Sequence, residues 1–373
     1  MWRNVLVALL ILGIPMAAHG GSGLASFKAC QPCHTDIFEL WKHSLHSQSF
    51  LDPPFQAAYM KLMIEAGGDA VKTCLRCHAP AAFIARDFDL KSPLAAEGVS
   101  CSFCHSIASI NESDMDNYYR LDTSGVVYGP YRAASISGHP IAHSELHRKS
   151  ELCAGCHEYV NPHGVALLET YSEWKSSPYP QSGIDCQNCH MPIMPDLSIA
   201  NGHKSLDQFV TAHEFRGGHS KINLAHAVSV DTKARRAGNM LNVEVAITNA
   251  ESGHKLPTGI PNRQLVLNVA LKGPGGHAVS SARKVYRKAL TDQYGTIIEN
   301  VADMFLDATR IYSDNRIGPK ETRIETFVFD LPKWLTRYQI ETVLNYEYSR
   351  PVLTEETVQI EMARNLIDSR DDE

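Results

Sequence analysis

Cys101-Ser102-Phe103-Cys104-His105 is the most compact copy of a pentad around which the chain is organised. The same Cys-x-x-Cys-His spacing recurs at Cys30, Cys33 and His34, at Cys74, Cys77 and His78, at Cys153, Cys156 and His157, and at Cys186, Cys189 and His190. Together the five copies use all ten cysteines of the 373 residues. With 18 histidines in the chain, His would follow every pair by accident with a probability on the order of 10⁻⁷, so the pentad is a chemical requirement. Zinc sites combine such pairs two at a time, or with distant histidines, and need no His directly after the second cysteine. A redox pair of the thioredoxin type needs one copy, and a disulfide scaffold would not repeat one spacing five times. The reading that remains is covalent attachment of c-type haem. Two cysteines three apart each form a thioether to a haem vinyl group, and the next residue brings an imidazole to one face of the iron. Five haem c groups are expected, with His34, His78, His105, His157 and His190 as their first axial ligands.

The rest of the chain fits export and two domains. Arg3, an apolar run over 5–16 and the small residues around His19 read as a signal peptide over 1–20, too short for a comfortable membrane span. The formal net charge of −6 and the lack of a basic cluster point away from nucleic acid. Residues 21–227 hold every cysteine and read as short helices and polar loops, with helices expected over 36–45 and around Phe55, Tyr59, Leu62 and Met63. Such a region is short of aliphatic core, and five porphyrins wrapped by the polypeptide would supply the missing apolar mass. Over 228–367 the period becomes two. Leu241, Val243, Val245 and Ile247 alternate with polar or small residues, as do Leu265, Leu267, Val269 and Leu271, and then, less strictly, Ile324, Thr326 and Val328, and Ile340, Thr342, Leu344 and Tyr346. The expected fold class is therefore α+β: a haem-wrapped, mainly short-helix domain followed by an antiparallel β-sandwich, plausibly immunoglobulin-like, with a charged, disordered tail over 368–373.

Function turns on the second axial position of each iron. A second histidine closes the site and leaves electron transfer, whereas a vacant face lets a small molecule bind and react. Twelve histidines remain once the five pentads and His19 are set aside. His46 stands first, because it follows the helix around Trp41 directly after the first pentad. His139, His143 and His147 have the spacing of one helix face leading into Cys153, and His139 and His147 are favoured among them. His213 and His219 flank a segment with two glycines that would allow close approach to a haem edge. His254, in the turn 253–259 between two strands, could reach back into the haem region, although a plain β-turn explains it equally well. Met191 and Met194 are weak candidates, since Met191 adjoins His190 itself.

Cys30-Gln31-Pro32-Cys33-His34 followed by Trp41, Ser44 and His46 resembles the Trp-x-x-Ser-x-His element of multihaem cytochromes related to the tetrahaem electron carrier of nitrifiers and to hydroxylamine oxidoreductase. The run from Ser150 through His157, Glu173-Trp174 and Cys186 to Pro192 is similar to the middle of that group. His213, Phe215, Gly217-Gly218, Gly253-His254 and Pro257-Thr258-Gly259 resemble its members that carry a C-terminal β-domain. The resemblance implies closely stacked haems, mostly with two histidine ligands, and His46 as a distal ligand. The crosslinking tyrosine motif of the hydroxylamine-oxidising enzymes is missing, and five haems are fewer than their eight. An electron carrier in the periplasm or at the cell surface is expected. Its partners would be donor and acceptor cytochromes or quinol-linked membrane complexes, with self-association into filaments as a further expectation. The alternative is an oxidoreductase of a small nitrogen or sulfur compound at one open haem face, with Tyr118, Tyr119, Lys149 or Lys255 nearby.

Overall fold

The computed structural model describes residues 23–132, 138–201, 210–351 and 355–369. The expected signal segment 1–20, His203 and residues 370–373 of the expected tail lie outside them, whereas Asp368 and Ser369 at the start of that tail are ordered against Gln339 and Tyr338. Among the described residues no helix is long and apolar enough to cross a membrane.

The cysteine-bearing half is built mainly of short helices, and four of the five pentads are the end or the whole of one. Cys101–His105 and Cys186–His190 are single turns, started by Ser100 and by the capping box of Asp185 with Asn188. Glu151–His157 and Gly68–His78 carry their pentads at the C-terminal end. The first pentad is divided between Phe27–Cys30 and His34, which precedes Thr35–Trp41. The helix expected over 36–45 is thus two helices. Thr35–Trp41 ends, and Ser44 starts Leu45–Gln48 by accepting a hydrogen bond from the Ser47 amide (3.2 Å). That break aims His46 inward, off the axis of the preceding helix.

The expectation of one helix face carrying His139, His143 and His147 is corrected. Ile141–His143 is a short strand paired in parallel with Val127–Gly129, and Glu145–Arg148 is a 3₁₀ turn. Pro140 accounts for the failure, because the residue before a proline is driven out of the helical region and proline itself lacks the amide.

From Val228 the chain is β. The helix Lys221–Ala227 leads straight into β1 (Val228–Ala237), which pairs antiparallel with β2 (Met240–Asn249). The other strands are β3 (Arg263–Lys272), β4 (Ala278–Thr291), β5 (Ile297–Ile298), β6 (Arg310–Asp314), β7 (Thr322–Asp330), β8 (Gln339–Pro351) and β9 (Glu355–Asp368). One antiparallel sheet has the order β7-β2-β1, the other β5-β4-β3-β8-β9 with β6 also on β4. Leu241, Val243, Val245 and Ile247 of one sheet and Leu265, Leu267, Val269, Leu271, Ile340 and Leu344 of the other are fully buried in a single core. The period-two reading therefore holds for β2, β3 and β8. In β7 its phase is reversed: Ile324 and Val328 point to solvent, while Phe327 and Phe329 face the core. β7 is an edge strand, where β-branched residues suit the pleat without being buried.

The halves are packed together. The helix Val301–Asp307, inserted between β5 and β6, places Ala302 and Leu306 against Tyr59 and Leu62 of the helix Pro53–Ala66. Val165 and Leu167 likewise share a cluster with Leu290, Ile298 and Met304.

Candidate haem-binding sites

None of the ten cysteines is in a disulfide, and among the described residues no three His, Cys, Asp or Glu side chains converge on a cation position. The thiols are instead grouped across pentads. Cys30 meets Cys101, Cys77 meets Cys156, and Cys153 meets Cys186. Pentads one and three, two and four, and four and five are therefore neighbours.

Four of the five pentad imidazoles have their Nδ1 on a main-chain carbonyl: His34 on Ile199 (2.6 Å), His78 on Ser49 (2.7 Å), His105 on Tyr128 (2.6 Å) and His190 on Arg216 (2.5 Å). A carbonyl only accepts, so Nδ1–H donates and the lone pair is left on Nε2, the tautomer and orientation of a metal-ligating histidine.

Second imidazoles face four of these rings. Ring centroids are 6.1 Å apart for His34 and His139, 6.2 Å for His157 and His46, 6.4 Å for His105 and His213, and 6.3 Å for His190 and His254. With metal–nitrogen bonds of about 2 Å, two imidazoles on opposite sides of one metal place their centroids about 6 Å apart. These four separations fit iron held between paired histidines. His213 and His254 also donate from Nδ1 to carbonyls, of Thr211 (2.9 Å) and Lys255 (2.9 Å). Half-buried His46 has no partner for its buried Nδ1, and Phe215 packs on its ring at 4.2 Å between centroids.

Burial holds four of these imidazoles neutral. It lowers His46 to about 3, with help from His157, His190 and His213, and lowers His157, His213 and His254 to about 4. Neutral imidazole is the form that binds a metal.

The remaining candidates are placed differently. His147 stacks beside His105 (5.6 Å, 13°) and gives its Nε2–H to the carbonyl of Cys104 (3.1 Å), within the same pentad. His219 bonds through Nδ1 to the Tyr348 hydroxyl (2.8 Å) at the end of β8. His139 and His147, read together from their spacing, serve different pentads. His78 is the exception among the five, since its ring lies face to face with Phe55 at 3.8 Å. No sequence signal marked that contact.

Close backbone approach is built in at two glycines. Gly98, at φ +61°, lies so near His46 that a Cβ would come 2.4 Å from the His46 carbonyl oxygen. The neighbouring Val99 accepts from the Trp41 indole (3.0 Å) and donates to the His46 carbonyl (2.9 Å), which fixes the His46 turn. Gly155, inside the fourth pentad, rests on Tyr118 and Tyr119, where a Cβ would come within 2.6 Å. Both tyrosine hydroxyls donate to carbonyls of that pentad's helix, at Glu151 and Leu152 (2.9 Å each).

Residues 29–106 match the family described as cytochrome c554 and c-prime. A penta-heme cytochrome c552 from Thermochromatium tepidum superposes with a TM-score of 0.74 at 24% identity, over 93% of this chain and 99% of that one. The chain has the fold of a penta-haem cytochrome. With the family match, this supports a multihaem, electron-carrying c-type cytochrome with covalently bound haem c. The ApaA protein from Bordetella pertussis overlaps 38% of this chain and 89% of its own at 12% identity, with a TM-score of 0.20. No curated protein matches the chain.

Proposed function

We propose that this protein is an exported pentahaem c-type cytochrome that carries electrons through mostly bis-histidine haems. The observation that carries the reading is the set of four facing imidazole pairs, each about one metal apart. Cys30 and Cys33, Cys74 and Cys77, Cys101 and Cys104, Cys153 and Cys156, and Cys186 and Cys189 would hold the haems, which supply the redox chemistry when bound. The protein fixes their order, since neighbouring pentads touch through their cysteines, and at His46, His157, His213 and His254 it supplies imidazoles that need no deprotonation. The N-terminal apolar segment supports a periplasmic or cell-surface location, where other cytochromes or quinol-linked membrane complexes would donate and accept electrons. Within the cytochromes, Trp41, Ser44 and His46 support kinship with the nitrifier carrier, and the two-sheet β-domain supports the immunoglobulin-like reading.

Intact mass and electron paramagnetic resonance of the secreted protein test this. Five haems per chain and at least four low-spin signals are expected, and a mass equal to that of the bare polypeptide would overturn the proposal. The second reading, small-molecule chemistry at one open haem face, is favoured only at His78, the one pentad imidazole that no second imidazole faces at about 6 Å among the described residues. Uptake of one cyanide per chain would place it there, and a spectrum unmoved by cyanide, nitrite and hydroxylamine would remove it.

A further inference from the structure

His254 comes from the β-domain, yet it faces the imidazole of the fifth pentad in the other half of the chain, and a dense set of buried charges surrounds its loop. Glu173, on the short helix Thr170–Lys175, is the hub. Its Oε2 accepts from the amide of Lys255 (3.2 Å), next to His254, and from the Thr258 hydroxyl (2.7 Å). Its Oε1 lies 2.7 Å from Arg316 Nη1, an ion pair off the hydrogen-bonding direction. Only 4% of the Glu173 side chain and 3% of that of Arg316 is exposed. Arg316 is gripped in turn by Asp314 (2.8 Å to each carboxylate oxygen), and Lys288, itself buried, pairs with Glu169 of the haem half. The loop is pinned from its other side as well, because Leu256 exchanges both backbone hydrogen bonds with Ile317 (2.9 and 3.0 Å).

The same helix reaches the fifth pentad. The Trp174 indole donates to the carbonyl of Ile184 (3.0 Å), two residues before Cys186, and Trp174 packs under Gly253, where a Cβ would come within 3.1 Å. One turn of helix thus touches the approach to the pentad with Trp174 and the loop of the facing imidazole with Glu173. A charge pair this deeply buried is weak evidence for stability, since desolvating both groups offsets their attraction. What it supplies is a fixed geometry.

We infer that Glu173 and Arg316 are positioning residues that hold His254 opposite His190, so that docking of the β-domain sets the ligand pair of the fifth haem. The inference rests on the haem reading above. In the absence of the Glu173 carboxylate the Lys255 amide and the Thr258 hydroxyl lose their shared acceptor, and the loop is free to withdraw His254.

The test compares the haem-loaded protein with its Glu173→Ala, Glu173→Gln and His254→Ala variants by electron paramagnetic resonance and potentiometric titration. His254→Ala marks the signal of one haem. Glu173→Ala should alter that same signal, shift that haem's midpoint potential and let it take up one added imidazole per chain, with the other four unmoved. Glu173→Gln, which keeps an oxygen acceptor, should restore much of the native signature. Five unaltered signals in Glu173→Ala would overturn the inference, and so would all five changing together, which is the mark of a general structural role. Should Glu173→Ala yield no loaded protein, Thr258→Val decides, with a partial change of the same signal expected and no change overturning it. If the wild-type protein carries no haem, the functional reading itself has failed, an outcome visible before any variant is made.

Discussion

The two halves of the chain reach order by different physics. The β-domain owns a continuous aliphatic core, in which Leu241, Val243, Leu265, Leu267 and Leu344 interlock between two sheets and are fully buried. The cysteine-bearing half has only small clusters, such as Leu24, Ala81, Phe103 and Ile107, between helices that are mostly of one or two turns, the longest being Pro53–Ala66 with 14 residues. Isolated helices that short are not stable in water. On the haem reading proposed above, their order depends on what the pentads bind and on contacts such as Val99 to Trp41 and Tyr119 to Leu152. A core made of side chains specifies itself, whereas a core completed by a cofactor leaves the polypeptide under-determined until the cofactor is attached.

The comparison breaks most visibly if haem attachment is prevented. Chain produced without it should be cleaved throughout residues 23–220 by limited proteolysis, while a fragment starting near Val228 survives. Equal resistance of both halves would show that the haem half has a sufficient core of its own. Conversely, Leu267→Ala, at a fully buried position of β3, should cost roughly 2–5 kcal/mol in denaturant unfolding of the β-domain. Its native haem spectrum should not change, because the substitution lies within the side-chain core.

Single ligands give a smaller effect. His46→Ala or His213→Ala should each turn one haem high-spin without lowering the number of haems by mass, since the thioethers are untouched. An unchanged spectrum would remove that residue from the ligand set. The mildest probe is pH. Unfolded His takes up its proton near 6.5, while burial holds His46 neutral down to about 3, so the unfolded chain binds protons first and acid disfavours the folded haem half across that window. In the β-domain, Asp314 is held below its usual 3.8, where Arg316 and Lys255 outweigh the effect of burial. Its stabilisation is present above about pH 4 and lost as pH falls further. Hydrogen exchange should therefore loosen the haem half at a higher pH than the β-domain, and the reverse order would contradict the assignment.

Much of this was legible in single residues. Ten cysteines in five pentads of one spacing point to their chemistry without a fold, because thioether attachment and ligation are local demands on adjacent side chains. The alternation in β2 and β3 is equally local, since each strand has one face in the core. Where a reading needed the partner surface, it slipped. The spacing of His139 and His147 suits a helix that Pro140 prevents, and Ile324 and Val328 alternate correctly yet face solvent because β7 lies at a sheet edge.

The sequence by itself carried the five pentads that point to haem c, the division into a cysteine-bearing and an alternating half, and twelve histidines beyond those pentads and His19. Which imidazole faces which pentad was decided only in three dimensions. His254 meets His190, and Glu173 meets Arg316, because two separately patterned halves are packed against each other, and no spacing along a chain encodes the distance between surfaces that meet only after folding.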